Sequence, residues 1–191
     1  MAKAYIPIIY QNILKKKKIN HIKLREPGGS KNSEKIRNLI LNNKSNFNKD
    51  TDLLLYLAAR SENIQLLRKN YKKKIILIDR FIDSTIAYQH YGMGINKNLI
   101  IKLNKIILKD IKPTFTFLNT VSMKNLKSRI NKRIKNRYDT FNNNFYIKVQ
   151  NGFVKLAKNK HNYKIIDSNL SISKNKEIII KKVNSILSIW I

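Results

Sequence analysis

No cysteine occurs in the chain. A disulfide framework and a thiolate zinc site are therefore excluded, and a cytoplasmic protein is the expectation. Long apolar runs are lacking too. Every hydrophobic stretch falls far short of the ~20 residues that a membrane span needs, and no apolar N-terminal core leads into a small-residue cleavage site. No membrane partner is expected. Acids are scarce: 11 Asp and Glu stand against 40 Lys and Arg, a formal charge of +29. Arginine is scarce as well, at eight of those 40: Arg25, Arg37, Arg60, Arg68, Arg80, Arg129, Arg133 and Arg137.

What is present suits one folded domain over residues 1–191. Hydrophobic residues make up 42% of the chain, too many for a disordered polyelectrolyte. The charge invites a polyanion: nucleic acid, an anionic membrane or a phosphorylated small molecule. Lys, Asn and Ile crowd the sequence together, however, and AT-rich codons encode all three. The basic residues are also dispersed instead of forming one stripe. Drift in base composition explains the lysines better than a nucleic-acid footprint. A basic nucleic-acid-binding protein remains the alternative, although the aromatics are not laid out as a stacking platform. Against this lysine background a guanidinium marks places where planar two-point contact with phosphate or a base edge is needed. Glu26, Glu62, Asp79 and Asp83 lie near these arginines in sequence.

Hydrophobic periodicity predicts helices at 6–18, at 34–41, from Asp52 with an apolar face reaching Leu67, and at 84–91, 98–108, 124–135, 144–158 and 176–190, with Asp52 capping the third. Short strands are predicted at 21–24, 75–78, 114–118 and 164–167. The run 75–78 reads as a parallel strand covered on both faces. Strands alternating with helices argue for an α/β domain with a parallel sheet. Ligands in such a sheet gather beyond the carboxyl ends of the strands. Arg25–Glu26 and Asp79–Arg80 each end a strand, so both pairs are expected to open into one crevice. His21, His90 and His161 have no metal-ligand spacing. Trp190 reads as packing for the last helix, and Arg68 has no assignable role.

LREPGGS, then LLLYLAARSENI, then IDRFIDSTIAYQHYGMGI, in this order, resemble thymidylate kinase, the family that phosphorylates dTMP to dTDP with ATP. RIKNRYDTF and the helix ending GFVKLAK resemble the family's lid, about 129–144, and the helix after it. The resemblance implies a three-layer P-loop nucleoside-monophosphate-kinase-like fold. It implies dTMP and ATP as substrates, Mg2+ as cofactor, and a homodimer. Arg25 and Glu26 match the loop at the dTMP pocket, and Arg37 an arginine reaching the acceptor phosphate. Tyr56 matches the ring stacking on thymine, and Arg60 the arginine bonding its edge. Arg80 matches the residue gripping the dTMP phosphate, with Asp79 near magnesium. Thr85 and Gln89 match polar contacts to the base, and Tyr88 the tyrosine crowding the sugar 2′ position. Arg133 and Arg137 match lid arginines that stabilise charge on the transferring phosphoryl, Arg133 also contacting ATP. Phosphoryl transfer needs two anions held in line and their charge neutralised, and these are suitable tools.

Two departures accompany the resemblance. The family opens with a central strand and a GxxxxGK[ST] loop, and MAKAYIPIIYQ matches neither. Counting back from REPGG, the loop lysine falls near Lys3, but Ala4 and Tyr5 follow where Ser or Thr is required. The expectations are a natural protein that starts further upstream or, alternatively, an inactive kinase remnant with its central strand missing. Asn119 stands where the family often has Asp.

Overall fold

Short polar side chains set where the helices begin. Ser30, Asn48, Asn96, Ser122, Asn142 and Ser171 each accept a hydrogen bond from a first-turn backbone N–H, which satisfies donors the helix itself cannot. The protein is described by a computed structural model covering residues 5–132 and 134–188. Lys3, Arg133 and Trp190 lie outside the described residues.

The order is α1 (Tyr5–Lys16), β1 (His21–Arg25), α2 (Lys31–Leu41), α3 (Lys49–Asn70), β2 (Ile75–Asp79), α4 (Ile82–Thr85), a π-helical segment (Ile86–Gly92), α5 (Lys97–Leu108), β3 (Thr116–Thr120), α6 (Met123–Asn131), a 3-10 turn (Arg137–Thr140), α7 (Asn143–Ala157), β4 (Tyr163–Asp167) and α8 (Ile172–Leu187). Among the described residues the strands form two separate parallel ladders, β1 with β2 and β3 with β4.

The layers follow from strand alternation. Ile75 and Leu77 face α1 and α8, where Leu14, Ile179, Val183 and Leu187 are buried. Ile76 and Ile78 face the other way, onto Ile64 and Leu67 of α3 and Leu108 of α5. Helices thus cover both faces of β2, as the continuous apolar run predicts. A third cluster joins Leu53 and Leu57 of α3 to Ile86, Ile95 and Ile100. A fourth joins Ile40, Ala87, Tyr138, Phe145 and Val149.

Several expectations are corrected. Asp52 is not the cap of α3. Asn48 takes that role by accepting from the Thr51 N–H at 2.8 Å, and Asp52 is buried in the first turn. The segment after Thr85 is π-helical, and the lid-like stretch contains a 3-10 turn that periodicity does not reveal. Ser171 caps α8, which begins at Ile172, four residues before its predicted beginning. No described helix is long and apolar enough to cross a membrane.

Candidate functional site

The parallel register places Arg25 opposite Asp79 at the carboxyl ends of β1 and β2. The next residues, Glu26 and Arg80, line one cavity with Tyr56, Arg60, Phe81, Ser84, Thr85, Tyr88 and Gln89. Glu26, Tyr56, Arg60, Arg80, Thr85, Tyr88 and Gln89 were named from the sequence, and the fold brings them together. The enclosed space is about 10 Å3, room for roughly one water, so a larger ligand enters only if the rim side chains part.

The loop after β1 is built for close backbone approach. Gly28 and Gly29 have φ of 116° and 111°, a region open mainly to glycine. Asn63 of α3 donates to the Gly28 carbonyl at 2.8 Å and accepts from the Ser30 N–H at 3.0 Å. Glu34 of α2 accepts from the Gly29 N–H and from Arg25, both at 2.8 Å. The Arg25 hydrogen bond, foremost, holds the Glu34 carboxyl below its ordinary range. Arg37 donates to the Pro27 carbonyl at 2.8 Å. Burial lowers the Arg37 pKa, and the positive charges of Arg25 and Arg80 lower it further. Arg80 in the cavity lining, with Arg37 near enough to feel its charge, suits an anion.

Arg80 is held in an uncommon backbone conformation, φ 68°, and strain of this kind gathers at functional sites. Its guanidinium lies 4.6 Å from the centre of the Tyr88 ring. Asp79 ends β2, and its backbone carbonyl accepts from the Glu26 N–H at 2.9 Å. No group of three or more His, Cys, Asp or Glu that could hold a metal ion exists among the described residues.

At the inner wall Arg60 pairs with Glu26 at 2.6 Å, and both are buried. Arg60 also hydrogen-bonds Asn104 and lies 5.1 Å from the Phe81 ring centre. Burial raises the Glu26 carboxyl, and Arg60 pulls it back. Thr85 and Gln89 are buried, and the Gln89 Oε1 has no hydrogen-bond partner among the described residues. The π-helical turn carries Tyr88 and Gln89, and segments of this type recur at functional sites.

Arg137 stands apart from the cavity lining. It hydrogen-bonds the buried Asp52 carboxylate, donates to the Ile40 carbonyl at 3.1 Å, and lies over the Phe47 and Tyr138 rings. The proposed ATP-side residues Lys3 and Arg133 lie outside the described residues. Asn119 accepts from the Ser168 hydroxyl at 3.2 Å.

Sequence reasoning missed Asn63, Asn104, Phe81, Ser84 and Tyr138. Phe81 and Ser84 sit inside the DRFIDS motif and could have been found there. Asn63 falls three residues after Arg60, on the same helical face. Asn104 carries no local signal, because only the fold brings it to Arg60.

A family model for thymidylate kinase matches residues 8–179. A thymidylate kinase from Ehrlichia canis is 40% identical over 158 residues, covering 81% of this chain and 76% of that one. One from Kosmotoga olearia is 29% identical over 178 residues, covering 91% and 86%. The crystal structure of thymidylate kinase from Ehrlichia chaffeensis superposes with a TM-score of 0.75 at 31% identity, covering 95% of this chain and 91% of that one.

Proposed function

Since the chain belongs to the thymidylate kinase family, whose reaction is phosphoryl transfer to dTMP, we propose that the cavity beyond β1 and β2 is its dTMP site. The observation that carries this is that Arg80 lines a cavity whose wall also holds the Gln89 Oε1, which has no hydrogen-bond partner among the described residues. The arginines suit a phosphate, and the buried amide suits a base edge. In this reading Arg80 grips the dTMP phosphate, with Arg37 and the loop of Arg25 and Glu26 around it. Tyr56 stacks on thymine, Arg60 and Thr85 meet its polar edge, and Tyr88 crowds the sugar 2′ position.

ATP is the proposed donor. Asp79 would hold Mg2+. A lone carboxylate suffices for that, because magnesium keeps several waters and takes its other ligands from phosphates. When bound, the ion would neutralise charge on the phosphoryl oxygens. Residues 129–144 are the proposed lid of a single domain. Arg133 and Arg137 are its proposed arginines, and a phosphoryl contact from Arg137 requires its Asp52 pair to break. The resemblance alone supports a homodimer and a cytoplasmic setting.

Arg80→Ala tests the assignment. One such contact is worth ~2–4 kcal/mol in the transition state. The expected loss in kcat/KM for dTMP is therefore about 30- to 1000-fold, with unfolding stability close to the parent's. Near-parental kcat/KM would refute the role given to Arg80.

A further inference from the structure

Behind the cavity wall four side chains form a directed chain of hydrogen bonds. Gln89 Nε2 donates to the Tyr138 hydroxyl at 3.4 Å. The Tyr138 hydroxyl donates to Asp52 Oδ2 at 3.0 Å. Arg137 donates to the other Asp52 oxygen. Asp52 is 1% exposed and Gln89 also 1%, so water does not compete for these partners. Tyr138 lines no part of the cavity, and its ring stands edge-on to Tyr56 and Tyr88, which do.

The direction of each bond follows from chemistry. A guanidinium has donors only, and the Asp52 oxygens accept from Arg137 and from the Tyr138 hydroxyl. Burial, foremost, pushes the Tyr138 phenol far up, and its contacts with Tyr56 and Asp52 act in the same direction, so its one proton is always present. That proton goes to Asp52. The hydroxyl oxygen can then only accept from Gln89, which turns the Gln89 Nε2 towards Tyr138. The Oε1 is left as the atom without a partner. A buried acceptor left unpaired is costly, and a ligand N–H repairs the loss.

We infer that Asp52 and Tyr138 are positioning residues that fix the polarity of the Gln89 amide, so that the site selects a pyrimidine whose N3 carries a proton over one whose N3 is an acceptor. Thymine and uracil meet this demand and cytosine does not. The inference rests on the dTMP reading of the cavity and adds the origin of its base selectivity.

The test is binding of dTMP, dUMP and dCMP to the intact protein and to Tyr138→Phe, by titration calorimetry. In the variant the amide is free to turn over. The dTMP-to-dCMP affinity ratio should fall by at least about tenfold, while the dTMP-to-dUMP ratio, which reads the methyl group, stays within about twofold. An unchanged dTMP-to-dCMP ratio, or a parallel collapse of both ratios, overturns the inference. If the parent binds no dTMP, the site reading fails and this inference with it. If the parent prefers dTMP and the variant keeps that preference, only this inference fails. Should Tyr138→Phe not fold, the parent decides alone. In its dTMP complex the Gln89 Nε2 protons should give cross-peaks to the Tyr138 ring, and their pairing with a solvent or ligand acceptor instead overturns the proposal.

Discussion

A buried ion pair is a conditional asset, and Glu26–Arg60 shows the condition. Each partner is held by the other, and Arg60 has Asn104 as a second contact. Removing one partner leaves the other charged and unpaired out of water, which typically costs ~3–5 kcal/mol. Arg60→Met should therefore destabilise strongly in urea unfolding at pH 8. The loss should shrink on acidification. Without Arg60, burial outweighs the remaining Asn63 hydrogen bond and raises the Glu26 carboxyl further above the ordinary range. A raised folded-state pKa means stability that is full below the unfolded value and is lost as pH rises through the folded one. The variant should thus recover part of its deficit relative to the parent between pH 8 and pH 5. A deficit that is flat over this range would mean Glu26 is not the group left stranded. The Glu26→Gln, Arg60→Met double variant should be more stable than Arg60→Met at pH 8, since it strands no charge.

At the scale of elements, the sequence was legible where one local rule decides. IILID is apolar and short, and it is a strand with helices on both faces. DRF and REPGG carry charge and glycine where strands end, and their Arg80, Phe81 and Glu26 line the cavity. Legibility failed where distant chain segments decide. Asp52 looks like a cap because it precedes an apolar run. Asn48 wins that role, and Arg137, 85 positions away, receives Asp52 instead. The π-helical turn has no periodic signature of its own. Its setting is α7 packed across it, and Gly152 is the point of closest approach. A Cβ on Gly152 would stand 2.4 Å from Tyr91 Cδ2 and 2.8 Å from Tyr91 Cβ. Because the clash reaches the root of the tyrosine side chain, rotation of the ring tip cannot relieve it. Gly152→Ala gains ~1 kcal/mol of helix propensity but overpacks a helix contact, which costs ~1–3 kcal/mol or more. A lower melting temperature is expected, and the KM for dTMP should rise because Tyr88 and Gln89 ride on the displaced turn. A variant that melts higher than the parent would show that α7 and the turn have room to separate.

For the whole molecule, +29 charges raise the question of whether the charge is function or background. The few acids are mostly committed to local contacts. Glu26 and Asp52 are buried, Glu34 holds the loop, Asp83 accepts from Tyr163, and Asp110 from Tyr71. Little negative charge is left to offset the lysines, so the folded state repels itself. Adding salt screens that repulsion over about 10 Å at 0.1 M, and the melting temperature should rise between 20 and 200 mM salt. A ligand that binds only the folded state acts independently. At 100 times its Kd, dTMP should add about 2.7 kcal/mol, a shift on the order of 5–10 °C for a chain of this length. The shift should persist at 200 mM salt, because buried arginine contacts are screened far less than surface lysines. A nucleic-acid binder behaves in the opposite way: its affinity collapses over that salt range as counterions are released. Melting curves with dTMP and with duplex DNA at both salt concentrations separate the two. No dTMP shift, with tight and salt-sensitive DNA binding, would overturn the assignment of the cavity. A dTMP shift that survives salt, with DNA binding that does not, would identify the lysine excess as compositional background to a small arginine-built site.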